Sequence, residues 1–197
     1  MSPLLPGIIA SGISGHLFTP EGSAYEIAKY VVPSGGVSEV TFVVPSGYRH
    51  IRLETSVRGN RTPVTYDGFN MRFNSDSNSV YSYHTIYGDG RSGAANPDNG
   101  TSLSAIPVAQ IPGSASLANS HGAAIIDILD HASTTKNKTV RSLNGYESNT
   151  TGWGGIYSSI AFTSGVWYNT NAVSSINLIP QNSPFQQHST FTLIGYK

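Results

Sequence analysis

The tightest cluster of chemically capable side chains in this sequence is Asp127, Asp130 and His131, within the run DILDH. All three are metal-ligand types. On a strand, however, residues 127 and 130 point to opposite faces, and an Asp that ends a strand and caps the next loop explains the same residues. The run NSDSNS at 74–79 offers oxygen ligands but lacks the Gly and the closing Glu of a calcium loop. Gly12-Ile13-Ser14-Gly15 falls one residue short of a nucleophile elbow. Glycoside hydrolysis needs two positioned carboxyl groups. Asp67 with Asp76, or Asp127 with Asp130, could be nominated, but neither pair has supporting context. No phosphate loop or dinucleotide fingerprint occurs. The sequence therefore assigns no catalytic residue, no metal ligand and no cofactor, and a protein without enzymatic activity is expected.

The aromatic residues are the stronger candidates for binding. Sugars are held by an aromatic face beside neutral hydrogen-bonding groups, and low-charge aromatic surfaces also serve subunit interfaces. Tyr81, Tyr83 and Tyr87 share a predicted strand with His84, Trp153 lies in a Gly-rich loop, and Trp167-Tyr168-Asn169 follows Gly165. Trp153, Trp167, Tyr168 and Tyr83 are accordingly the candidate glycan or interface aromatics. Alternation places Tyr81, Tyr83, Thr85 and Tyr87 on one face, which also reads as a packing face.

The elements that must position these groups are strands. Only 11% of the 197 residues are charged, against roughly 25% in an average globular domain. Gly, Ser, Thr, Asn and Tyr fill the space, so turn and strand formers dominate over helix formers. Ile51, Leu53, Thr55 and Val57 alternate with Arg52, Glu54, Ser56 and Arg58, the period-two pattern of a half-buried strand. Phe69, Met71 and Phe73 repeat it. Further strands are predicted from Tyr25, at 37–44, and at 81–87, 123–129, 139–146, 156–163, 173–179 and 189–196. The segments 88–100 and 147–155 read as turns and loops. The expected fold is all-β, a single β-sandwich of jelly-roll type spanning 23–197 behind an extended N-terminal arm, 1–22.

The arm is rich in Pro, Gly and Ser and carries no charge before Glu21. Its apolar run, Leu4 to Ile13, is broken by Pro6, Gly7 and Gly12 and follows no basic residue, so it does not read as a secretory signal. Two readings stay open: a tether docking on a neighbouring subunit, or an extended strand lying on its own domain. The 11 basic and 11 acidic residues balance, which gives no electrostatic case for nucleic acid or an anionic membrane. No run approaches the roughly 20 apolar residues of a membrane-spanning helix, and a soluble chain is expected. There is no cysteine.

The segments GIIASGISG, YEIAKYVVPSGGVSEVTFVVPSGYRHIRLETSVRGN, NMRFNSDSNSVYSYHTIYGDG, IIDILDHASTTKNKTVRSLNGYE, and the closing GVWYNTNAVSSINLIP and FTLIGYK form a distinctive series. Together they resemble a family of small β-sandwich virion-associated proteins of tailed bacteriophages. His131 departs from the family's usual aromatic, and Ile194 and Tyr196 exchange positions relative to its final strand. The resemblance implies a virion-surface structural protein assembled in the host cytoplasm, either a capsid decoration (cement) protein or a tail-fibre piece. It implies the major capsid protein or other virion subunits as partners, and no catalytic residue. By analogy with small virion sandwiches a homotrimer is expected. A receptor-binding tip recognising host surface glycans is the alternative.

Overall fold

A computed structural model describes residues 24–88, 96–148, 151–152, 155–156 and 158–197. The predicted arm, 1–22, and Trp153 lie outside the described residues. Strands follow one another in the order β1 (Ala24–Val31), β2 (Val40–Val43), β3 (His50–Val57), β4 (Tyr66–Phe73), β5 (Tyr81–Gly88), β6 (Asn96–Leu103) and β7 (Ile106–Pro112). The second half of the chain adds β8 (Gly122–Ile128), β9 (Lys138–Tyr146), the short pair β10 (Thr151–Gly152) and β11 (Gly155–Ile156), β12 (Ser159–Trp167), β13 (Ser175–Pro180) and β14 (Thr190–Tyr196).

The strands build an eight-stranded antiparallel sheet, β1-β14-β3-β8-β9-β12-β5-β6, packed on a four-stranded one, β2-β13-β4-β7. Setting aside the insertions β5-β6 and β9-β12 leaves β1-β14-β3-β8 facing β2-β13-β4-β7. Counted along the chain, that is 1-8-3-6 over 2-7-4-5. This order results when one long antiparallel hairpin, pairing first with eighth, second with seventh, third with sixth and fourth with fifth, rolls up into two sheets. The pairs β1–β14, β2–β13, β3–β8 and β4–β7 are all present. The fold is a β-sandwich with jelly-roll strand order. Both insertions lengthen the first sheet beyond β8.

Apolar side chains of alternating phase fill the space between the sheets. Leu53, Phe69, Met71, Phe73, Ile126, Leu178 and Leu193 are fully buried. Phe185 packs edge-on against Phe191 with centroids 5.0 Å apart, and Phe69 leans on both. Arg58 is the unusual occupant. Only 6% exposed, its guanidinium has no carboxylate partner among the described residues and instead donates to the carbonyls of Leu117, Ser120 and Ser116. It thereby pins the β7–β8 connection to the end of β3, since a buried cation requires this kind of satisfaction.

Several strands depart from the sequence reading. Residues 96–100, read as part of a loop, belong to edge strand β6, Thr151–Gly152 and Gly155 of the β10–β11 pair fall in the other predicted loop, and β7 is not among the predicted strands. Pro107 and Pro112 hide β7 from propensity, yet it lies at the edge of the four-stranded sheet, where a missing N–H is tolerated. Strand β2 is also shorter than predicted, with Val37 contributing only an isolated bridge to Phe185.

Candidate docking face

Ile125 on β8 stands directly opposite Leu143 on β9, Leu143 opposite Phe162 on β12, and Phe162 opposite Ile86 on β5. Period-two alternation turns this whole row away from the core, because the intervening Ala124, Asn144 and Ala161 are the buried ones. The row is solvent-exposed, with Ile86 at 58% and Leu143 at 50%, and Ile160 at 64% adds to it one row along. Directly opposed apolar side chains on one sheet face touch one another. A contiguous patch of this kind, unlike scattered single residues, is a candidate docking face.

The rows on either side differ from it and from each other. On one side, Ala123, Gly145 and Gly88 carry little or no side chain, and a shallow trough of about 630 Å³ opens over Ala123 and Gly145, walled by Ile125, Leu143 and Ile160. On the other side the row is charged. Arg52 Nε donates to Asp127 Oδ1 at 2.7 Å and Arg141 donates to Asp127 Oδ2 at 3.1 Å. Burial pushes the Asp127 carboxyl upward, but the hydrogen bonds from Arg52 and then Arg141 outweigh it and hold the group below its ordinary range.

Asp127 and Asp130 do not converge. Asp127 belongs to this triad, while Asp130 sits in the turn after β8 and takes Lys136 Nζ at 2.7 Å. His131 is buried, and that burial pushes its imidazole below the ordinary value of 6.5. Among the described residues no three His, Cys, Asp or Glu side chains are grouped to hold a metal. Asp67 is tied to Asn182 and Ser183, and Asp76 accepts from Trp167 Nε1 at 2.9 Å, so each carboxylate is engaged in holding the fold.

The predicted aromatics separate. Trp167 is 1% exposed, stacked near-parallel on Tyr81 and tilted against Phe73. As a glycan or interface platform it is corrected: its inward phase on β12 makes it a core residue. Tyr83 packs partly buried against the core and donates to Asp98 Oδ2 at 2.9 Å, and burial raises its hydroxyl to about 12. Of the candidates among the described residues, Tyr168 alone presents a largely open ring, with its hydroxyl hydrogen-bonded to Ser82 Oγ. The structure thus does not gather Tyr83, Trp167 and Tyr168 into one site.

The exposed row was missed in the sequence, though a signal exists. Ile125-Ile126 and Ile160-Ala161-Phe162 place apolar residues on both phases of a strand, the pattern of strands covered on both faces. A second concavity, of about 540 Å³, lies where connections meet at one end of the sandwich and is lined by Asn60, Asn119, His121, Gln186, Gln187 and His188 among others.

No protein-family model matches the chain, and no curated protein matches it. Among solved structures, a candidate pore-forming toxin from Bacteroides vulgatus aligns at 12% identity with a TM-score of 0.11. That alignment covers 86% of this chain and 56% of the other. A likeness this weak carries no argument about fold or function.

Proposed function

We propose that this chain is a non-enzymatic structural protein of a tailed-bacteriophage particle, a decoration protein on the capsid surface. The observation that carries the reading is the in-register apolar row Ile125–Leu143–Phe162–Ile86, held outward on a rigid sheet. A side chain placed for chemistry would be a titratable group in a cleft. These are hydrocarbon groups placed for contact. The jelly-roll order adds support by analogy, since viral capsid domains use it, although lectins and cupins use it as well. The low charge of the chain suits life in an assembly, where mutual repulsion has no use.

On this reading the partners are the major capsid protein or other virion subunits together with further copies of the chain. The arm, 1–22, which carries no charge before Glu21, is the segment that grips the particle. A decoration protein with several such contacts gains avidity without any one being strong. The test is co-sedimentation with particles stripped of the protein. Full-length chain binds, and a variant lacking 1–22 stays folded by circular dichroism but no longer co-sediments. Equal occupancy by both would refute the arm's role, and failure of the full chain to bind would refute the reading itself.

The concavity lined by Asn60, Asn119, Gln186, Gln187 and the two histidines favours a second reading, a receptor-binding module for host glycans. Neutral amide groups are what sugar hydroxyls pair with. A glycan array separates the two readings, because a decoration protein retains no sugar on it.

A further inference from the structure

We propose that the exposed row docks on the same row of a second copy of this chain, the two eight-stranded sheets stacking face to face about a two-fold axis. This rests on the reading above only in taking that face as a contact surface.

The inference comes from a symmetry in the register. Thr55, Ala124, Asn144, Ala161 and Tyr87 are consecutive partners across β3, β8, β9, β12 and β5 and form one line running across the sheet. Take this line as the direction of a two-fold axis lying between two stacked sheets. Each strand then lies antiparallel over its own copy, and each outward residue meets the one equally far beyond the line. Ile125 meets Ala123, Leu143 meets Gly145, and Ile86 meets Gly88. Three of the four large side chains of the row find a small residue of the other copy, and the fourth, Phe162, meets Ile160. The trough over Ala123 and Gly145 is the space that the partner's Ile125 and Leu143 would fill.

One step further from the line the pairing is electrostatic. Arg141 on β9 and Glu147, one residue past its end, are both exposed and lie three residues either side of Asn144. The same operation sets each Arg141 over the partner's Glu147. An isologous contact makes every such pair twice, so shape and charge both have to be self-complementary.

The size is adequate. Strands β8, β9, β12 and β5 present a face roughly 19 Å wide and 25 Å long, given about 4.8 Å between strands and 3.3 Å per residue. With the side-chain relief and flanking β3, this is of the order of the roughly 800 Å² per partner of a standard interface. Two sheets stacking in this way need only the usual separation of about 10 Å.

The experiment is sedimentation equilibrium on the full-length chain, without particles, using a size swap. Wild type is expected to sediment at twice its 20.9 kDa monomer mass. Ala123→Ile places two isoleucines in opposition, and Ile125→Ala leaves two alanines facing a gap. Each single variant is expected to raise the dimer dissociation constant at least about tenfold, a loss of roughly 1.4 kcal/mol. The double variant Ala123→Ile/Ile125→Ala exchanges knob and hollow and restores the dimer. Both positions face solvent in the monomer, so thermal melts at concentrations where wild type is monomeric stay close to wild type and check that loss of mass is not loss of fold. A monomeric wild type at 100 μM or so, a trimer, or a dimer indifferent to both single variants would each overturn the proposal. None of these outcomes bears on particle binding, which the co-sedimentation above decides separately.

Discussion

The two sheets of this sandwich finish their outer faces in different ways. On the four-stranded sheet, Asn177 donates to Glu39 Oε1 at 2.6 Å and to Thr41 Oγ1, and its own oxygen accepts from the Ser75 backbone. Arg72 reaches the Ser104 carbonyl, and Gln181 reaches Asn70. Polar side chains satisfy one another there, and the exposed Val43 and Tyr66 lie on separate strands, β2 and β4. On the eight-stranded sheet, the half made by β8, β9, β12 and β5 presents Ile125, Leu143, Phe162 and Ile86 in one line, with no layer above them among the described residues. The apolar row occupies one half of one face of the eight-stranded sheet, where three of its four strands, β5, β9 and β12, belong to the insertions into the jelly roll; on the other sheet exposed apolar side chains such as Val43 and Tyr66 stand singly.

Substitutions test this contrast. The largest effect is expected in the core, at the far end of β12 from the exposed row. Trp167→Ala empties a core site between Tyr81 and Phe73 and should cost about 3–5 kcal/mol, read as a lowered midpoint in urea. If Trp167 served binding instead, stability would hardly change. Next comes the finished face. Asn177→Ala strands the Ser75 N–H and removes a donor from Glu39, for a loss of about 1–3 kcal/mol in the same measurement.

A pH effect follows. His131 is held neutral by burial, its pKa lowered from 6.5, so below about that value the unfolded chain takes up a proton that the folded chain resists. Stability is full above pH 6.5 and declines as pH falls toward the depressed folded value. His131→Gln should remove this decline while leaving the further loss at lower pH, where the depressed carboxyls of Asp76, Asp127 and Asp130 protonate. The smallest effect on monomer stability is expected on the unfinished face itself. Phe162→Thr should change it by no more than about 0.5 kcal/mol, yet weaken self-association.

Much of the architecture was legible in the sequence. The alternation at 51–58 and 69–73 gave strands facing a core, and the scarcity of charge pointed to an all-β sandwich. The edge strands were harder. Prolines masked β7, and Asn, Asp and Gly disguised β6 as a loop, because edge pairing tolerates residues that central strands exclude. The candidate site was less legible still. Trp167 and Tyr168 are adjacent in sequence, but one points into the core and the other out of it, and only the register of β12 decides which. The exposed row is assembled from β5, β8, β9 and β12, so its continuity depends on a strand order that linear sequence does not display.

Phe162 and Tyr66 offer the most direct test, because they are aromatic residues of nearly equal exposure, 46% and 44%, on opposite sheets. Hydroxyl-radical footprinting of the full-length chain, at concentrations spanning dilute to assembled, compares their oxidation rates. The account predicts that Phe162 becomes protected as the protein assembles while Tyr66 keeps its rate. Equal reactivity of Phe162 under all conditions, including on the particle, would contradict the claim that this face exists to be covered.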